Sequence, residues 1–423
     1  MTGSGEPPMR LATIAVATVV AVVASLPGFA ASRSARVCNP TKSSRRVGLP
    51  EHLPVVRLPR RVMPSPNAYA TYREAYRAIV DESYEQDGDD APIEQRLAAV
   101  EANSRAYALI DAANHQIFEA PPSRSLLTPA DDALAEMRSL SRLLCFKSRC
   151  WADRNDWAGA ADTALAVIQM GAQVQRHAAL TQSLVGVGIE AAGRAELRYI
   201  IPQLMAQEAL GVAVQLRAAE VAKPSYADIL LEEKYFSEAA LLEMMRCGQD
   251  WHQAKGEAYT SAAPPSDQEL MDQCQAYFDY AIAQSRRAWP RAKPFFPPGH
   301  GVLSSILAFD TRFVFALDRT CNELLAGQAL LQRYHATHGK YPETLAGLLA
   351  ENKIIGTLDD PFSDAKSLRY LRTGDSYTLY SVGPDGADNG GSPIDNHRED
   401  IGPNLRHRPE KSSKGDIVAG INT

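Results

Sequence analysis

Residues 329–349 read ALLQRYHATHGKYPETLAGLL, and this stretch divides the chain into two kinds of pattern. Upstream of it, residues 304–338 carry the period of one long amphipathic helix. At helical spacing Phe313, Leu317, Cys321, Leu324 and Leu331 fall within a band of roughly 80°, wide enough to face a core. Gly339 stands where a helix-ending glycine is expected, because it accepts the left-handed backbone that satisfies the last carbonyls. Pro342 then opens a short helix holding Leu345, Leu348 and Leu349.

Downstream the period changes from helix to strand. SLRYLRT (residues 367–373) alternates Leu368 and Tyr370 against Arg369 and Leu371. SYTLYSV (residues 376–382) alternates Tyr377 and Leu379 against Thr378 and Tyr380, and Gly374-Asp375 between the runs predicts a hairpin. DIVAGI (residues 416–421), with Ile417, Ala419 and Ile421 on one side, supplies a third strand. One apolar helix face and a three-stranded antiparallel sheet bury each other's apolar sides, which neither achieves alone. Residues 304–423 therefore read as a small α+β domain.

The succession of residues 329–349, DDPFSDAKSLRY (359–370), YTLYSVGPDGADNGG (377–391) and DIVAGI resembles the globular half of the type II secretion major pseudopilins. The resemblance covers about the last quarter of the chain. In that family a helix ends in a glycine before Tyr-Pro, strands follow, and a Ser-x-Gly-x-Asp-Gly loop binds calcium. It implies that Ser381, Asp385 and Asp416 match ligand positions, with Asp388, Asp395 and Asp400 as replacements inside an insertion. The amino-terminal half of the pseudopilin pattern is not matched. Gly28-Phe29 follows the apolar run instead of preceding it, Arg33 stands where a glutamate belongs, and a large helical region intervenes. The chain is not expected to assemble as a pilus subunit.

The acid loop carries a physical argument of its own. Calcium takes six to eight oxygen ligands from carboxylates, carbonyls and water, and residues 381–400 hold four aspartates and one glutamate. Glycines at 383, 386, 390 and 391 permit the backbone to turn carbonyls inward. Several carboxylates in one turn repel unless a cation neutralises them, so calcium is the expected cofactor and stiffening of the sheet edge its expected effect. The other reading is a solvated Asp/Gly hairpin loop without metal. The loop is not an EF-hand: Ala387 occupies a ligand position and Asn396 replaces the terminal glutamate.

Residues 65–303 read as a helical domain. Helices are predicted from Ser65-Pro66 with Tyr69, Tyr72, Tyr76, Ile79 and Val80. A second follows Pro92 through Leu97, Val100, Tyr107, Ile110 and Ile117, and a third starts at Thr128-Pro129 with Leu134, Met137, Leu140 and Leu144. An Asn155-Asp156 turn then joins two helices whose small residues Ala158, Ala161, Ala164 and Gly171 allow close approach. This pair resembles a tetratricopeptide-type hairpin, but one unit falls short of the roughly three that an array needs. Further helical pattern covers residues 224–252 and 266–288, and a proline-rich break follows at 287–301. The fold class read from the sequence is mainly α. It is an irregular helical bundle, tetratricopeptide-like in part, followed by the pseudopilin-like α+β domain.

The first 64 residues set location. Arg10 precedes an apolar run at 11–31 that ends in Pro27-Gly28 and small residues, the pattern of a signal peptide. The run also has the length to remain as a membrane anchor, and either way the body of the protein is expected to be exported, periplasmic or facing the periplasm. Residues 32–64 form a basic, proline-rich linker.

A net charge of −6 gives no reason to expect nucleic acid as a partner. Six scattered cysteines form no Cys-x-x-Cys pair, and Cys145 with Cys150 on one helix are too far apart for a disulfide. They read as buried thiols. His335 and His338 lack metalloprotease spacing, Gly186-Val-Gly188 lies in a helical stretch, and the pairs Glu232-Glu233 and Asp131-Asp132 read as helix starts or exposed faces. No nucleophile elbow or phosphate loop occurs. The expectation is a non-catalytic envelope protein that binds or scaffolds a protein partner in secretion or pilus-like assemblies, with membrane contact through residues 11–31. The alternative is an extracytoplasmic enzyme with its site in the helical domain.

Overall fold

The computed structural model describes residues 61–85, 90–121, 132–246, 266–292, 311–364, 367–396 and 406–423. The expectations for residues 1–60, the Thr128-Pro129 helix start, Cys38, Cys247, the end of the helical stretch 224–252 beyond residue 246 and residues 293–301 of the proline-rich break lie outside the described residues. The fold is mainly helical and closes with a small three-stranded antiparallel sheet, as expected.

Helix α1 (Ala68–Arg77) starts later than Ser65-Pro66. Its cap is Asn67, whose side chain accepts from the Tyr69 amide at 3.0 Å and from the Glu119 amide at 3.1 Å. That second bond ties the helix start to a distant strand-like segment, which local sequence does not reveal. The stretch after Pro92 is two helices, α2 (Ile93–Ala102) and α3 (Ser104–Asn114). They break at Asn103 because its buried amide is committed elsewhere: it accepts from Val80 and Asp81 amides and donates to the Asp81 carbonyl. Ile117, placed on the apolar face by period, is 54% exposed beyond the end of α3.

Helices α4 (Ala133–Asp153) and α5 (Trp157–Val174) form the expected hairpin. Asn155 takes the left-handed turn, and Asp156 caps α5 through the Gly159 amide at 3.0 Å. Helix α6 (Leu180–Ile200) packs on α5 through its glycines: a Cβ on Gly171 would lie 2.7 Å from the Gly186 carbonyl oxygen. Gly186 is thus a point of helix contact, as its setting predicts. Helices α7 (Ala206–Ala222), α8 (Tyr226–Arg246) and α9 (Asp267–Ser285) follow, α9 opening on a Ser266/Glu269 capping box.

Helix α10 (Arg312–His338) ends at Gly339, φ 70°, as expected. Helix α11 (Leu345–Glu351) begins after Thr344, whose hydroxyl caps the Gly347 amide, so Pro342 precedes the helix instead of opening it. Strands β1 (Arg369–Thr373) and β2 (Ser376–Ser381) form the hairpin, with Arg369 opposite Tyr380 and Thr373 opposite Ser376. Strand β3 (Ile417–Val418) pairs with the end of β2 and is shorter than the run 416–421 suggests; Ile421 is half exposed.

Two cores meet at α5. One joins α1–α4 to Val167, Met170 and Val174; the other joins Ala160, Ala164 and Ile168 to α6, α7, α10, α11 and the sheet. Gly327 lets the sheet close on α10, since a Cβ there would sit 2.6 Å from Leu379 Cδ2. Packing is therefore continuous from the bundle through α10 into the sheet.

Candidate functional site

The acid loop leaves β2 through a turn in which Gly383, Gly386, Gly390 and Gly391 all take positive φ. Asp416, fully buried, returns beneath it and accepts from the amides of Asn389 (3.2 Å) and Gly391 (2.7 Å). Asp385 accepts from Ala387 and from Gly415 across the loop, at 3.0 and 3.2 Å. Asp388 accepts from the Gly390 amide, the Tyr380 hydroxyl and Arg369 Nε. Asp395 stands apart, gripped in two-pronged fashion by Arg406 at 2.6 and 2.5 Å. Ser381 is also diverted: its hydroxyl donates to Asp360 at 2.6 Å. Asp400 lies outside the described residues.

The structure thus brings Asp385, Asp388 and Asp416 into one electrostatic neighbourhood and leaves Ser381 and Asp395 with other partners. Much of the expected repulsion is met by backbone N–H groups and two arginines. A remainder persists. Burial lifts the Asp416 carboxyl above its usual range, against the two amides, and the charges of Asp388 and Asp385 add to the rise. Among the described residues no three His, Cys, Asp or Glu side chains converge closely enough to hold a metal.

Sequence reasoning missed Asp360, the acid that anchors the sheet. It is 3% exposed and accepts from Ser381, from the Val382 amide at 3.0 Å and from the Phe362 amide at 3.1 Å. The loop is further pinned by Trp289, whose indole donates to the Pro384 carbonyl at 2.8 Å while its ring packs edge-on against Phe362.

The densest polar cluster lies elsewhere, where α6, the end of α7 and α10 meet. Lys223 Nζ contacts Asp318 (2.6 Å), Glu220 (2.7 Å) and Glu190 (3.1 Å). Arg194 donates to Asp318 at 2.7 Å and to Asn322 at 2.9 Å. The Asn322 amide donates in turn to Glu190 and Glu220, and Gln175, which follows α5, donates to the other Glu190 oxygen. Glu190 is fully buried and Asp318 is 3% exposed. Each of their carboxylate oxygens has a donor within the chain, which is what buried charge requires. The signal available in sequence was Glu190 and Arg194 inside the otherwise apolar and small-residue run 183–195, where charges are rarely buried unless paired.

His335 and His338 are exposed and stack on Tyr341 and Tyr334. Cys145 and Cys150 are buried. Glu232 and Glu233 are not exposed helix-start acids: Glu232 pairs with Arg61, and Glu233 accepts from the Leu180 amide at 2.7 Å, capping α6 from outside. No described helix is long and apolar enough to cross a membrane. No family model, curated protein or solved structure matches this chain.

Proposed function

We propose that this is an exported, non-catalytic binding or scaffold protein of the cell envelope, whose carboxyl-terminal module is pseudopilin-like and stiffened by calcium. The observation that supports the scaffold reading best is the double use of α10. The helix closes the bundle against α7 and backs the sheet at Gly327 and Leu379, so the module is presented on a continuous core. Such continuity suits holding a surface in place for a protein partner. The order of long helix, Gly339, hairpin, acid loop and closing strand agrees with the order that the pseudopilin resemblance implies.

The alternative, an extracytoplasmic enzyme, draws on the ionisable groups that converge around Lys223. Their carboxylate oxygens are already occupied by Arg194, Lys223, Asn322 and Gln175, an arrangement that favours a supporting role over a reactive one. Calcium is supported by the residual repulsion among Asp385, Asp388 and Asp416.

One experiment addresses location, partner and metal together: purification of the full chain from membranes in calcium or in chelator. The expected outcome is envelope fractionation, a co-purifying protein and a higher melting temperature with calcium. Saturation at about a hundred times Kd would add roughly 2.7 kcal/mol, and Asp416→Asn should abolish that increment. Recovery in the cytosolic fraction overturns the envelope reading, and an unchanged melting temperature at millimolar calcium overturns the metal.

A further inference from the structure

Strand β1 is an edge of the sheet, whose order is β1-β2-β3. Which of its main-chain groups face outward follows from the register. Thr373 and Ser376 flank the Gly374-Asp375 turn and exchange both bonds of a pair, as do Leu371 with Thr378 and Arg369 with Tyr380. The residues between, Leu368, Tyr370 and Arg372, turn their N–H and C=O groups away from β2. Two bonds agree with this alternation. The Leu368 amide reaches outward to the Leu358 carbonyl at 2.9 Å, and across β2 the Ala419 amide reaches the Leu379 carbonyl at 3.0 Å.

The edge is closed at its start and open beyond it. Leu358 and Asp359 lie alongside Leu368 and Ser367, and the chain before them turns at Gly356, φ 75°. Among the described residues nothing bonds to the main-chain groups of Tyr370 and Arg372. Leu371, between them, is 45% exposed. Free edges are commonly guarded by charge, but both arginines of β1 are already paired, Arg369 with Asp388 at 3.2 Å and Arg372 with Glu343.

We propose that β1 pairs antiparallel with β1 of a second copy of this chain, across a two-fold axis through Leu371. The strand is complementary to itself in that register. Tyr370 of each copy faces Arg372 of the other, and each such pair exchanges both main-chain bonds. The two Leu371 side chains meet on the exposed face as a close, non-hydrogen-bonded pair. On that face Arg369 stands opposite Thr373, so no arginine opposes another. On the other face each Tyr370 ring lies beside an Arg372 side chain, a favourable cross-strand contact.

Neighbouring registers fit less well. An axis through Arg372 would set two guanidinium groups directly opposite each other, which is destabilising. An axis through Tyr370 would call on the Leu368 amide, which the Leu358 carbonyl already holds. The contact is small, of the class below about 1,200 Å² that forms transient complexes. A dimer that depends on concentration is therefore expected.

Cysteine cross-linking of the full-length protein reads the register. Under mild oxidation Leu371→Cys should give a disulfide-linked dimer about tenfold above the wild-type background, because the β-carbons at the axis lie about 4.5–5.5 Å apart. Thr373→Cys alone should stay at background, and mixed with Arg369→Cys it should cross-link. Sedimentation equilibrium supplies a reading without introduced thiols. Leu371→Lys sets like charges at the axis and leaves the hairpin bonds alone. It should raise the dimer Kd about tenfold with an unchanged far-ultraviolet circular dichroism spectrum. A wild type that stays monomeric at its highest soluble concentration overturns the proposal. So does Leu371→Cys at background, Thr373→Cys alone cross-linking as well as Leu371→Cys, or a Leu371→Lys dimer as strong as that of the wild type.

Discussion

Gly171→Ala and Gly211→Ala are the same substitution inside two helices of one protein, and they should move stability in opposite directions. At Gly171 the new methyl would lie 2.7 Å from the Gly186 carbonyl oxygen, 2.8 Å from the Glu190 amide nitrogen and 2.7 Å from Glu190 Cγ. Two of these neighbours are backbone of α6, so relief requires α5 and α6 to separate by roughly 0.7 Å to reach ordinary contact. Overpacking of this kind costs about 1–3 kcal/mol. The shift also drags Glu190 from Gln175, Lys223 and Asn322, which places the cost toward the upper end. Alanine returns about 1 kcal/mol of helix propensity, leaving a net loss of about 1–2 kcal/mol. At Gly211 of α7 nothing lies within 4 Å of the added methyl. Only the propensity gain of up to about 1 kcal/mol should be felt there. Urea unfolding followed by far-ultraviolet circular dichroism separates the two through their midpoints. Changes of the same sign, or midpoints that coincide, would refute the claim that glycine contact sets the α5–α6 distance.

Two further substitutions probe the ion cluster and the acid loop. Arg194→Met leaves Asp318 to Lys223 alone and strips Asn322 of its acceptor role; the expected loss is about 3–5 kcal/mol, read from the same urea midpoint. Trp289→Phe keeps a ring against Phe313 and Phe362 but removes the N–H that reaches Pro384. The expected loss is about 1 kcal/mol, with faster amide exchange confined to the turn at Gly383 to Gly386.

Where structure is dictated by a residue's own backbone, the sequence was legible. Gly339 ends α10 because a left-handed residue closes a helix, and the Gly374 turn makes the hairpin whose register follows. Asp156 caps α5 three residues ahead of its amide partner. What escaped was set by distant partners. Asn67 displaced Ser65-Pro66 as the cap because it also binds Glu119, and Asn103 broke a periodic helix because Val80 and Asp81 needed its amide. The acid loop shows both cases. Its glycines were readable as left-handed, but which N–H each aspartate would face depended on how those turns met β3, so a reading of unrelieved repulsion overstated the charge to be neutralised.

Helix α10 shows why the buried charges and the sheet belong to one problem. A surface helix would bury one band of residues, as the spacing of Phe313, Leu317, Cys321, Leu324 and Leu331 suggested. Instead Leu324, Leu325, Ala326, Ala329, Leu330 and Leu331 are all buried, because α7 covers one side and the sheet the other. Less than two turns earlier, Asp318, Asn322 and Glu323 are equally buried, and there the covering elements answer with Arg194, Lys223 and Arg217. The apolar half of the helix is non-directional and tolerates small slips, whereas the ion pairs and hydrogen bonds of Asp318 and Asn322 are made in one register only. A displacement of α10 that the leucines would absorb would leave Asp318 and Glu190 short of donors. The orientation of the sheet on the bundle is therefore set at the polar end of the helix that carries it.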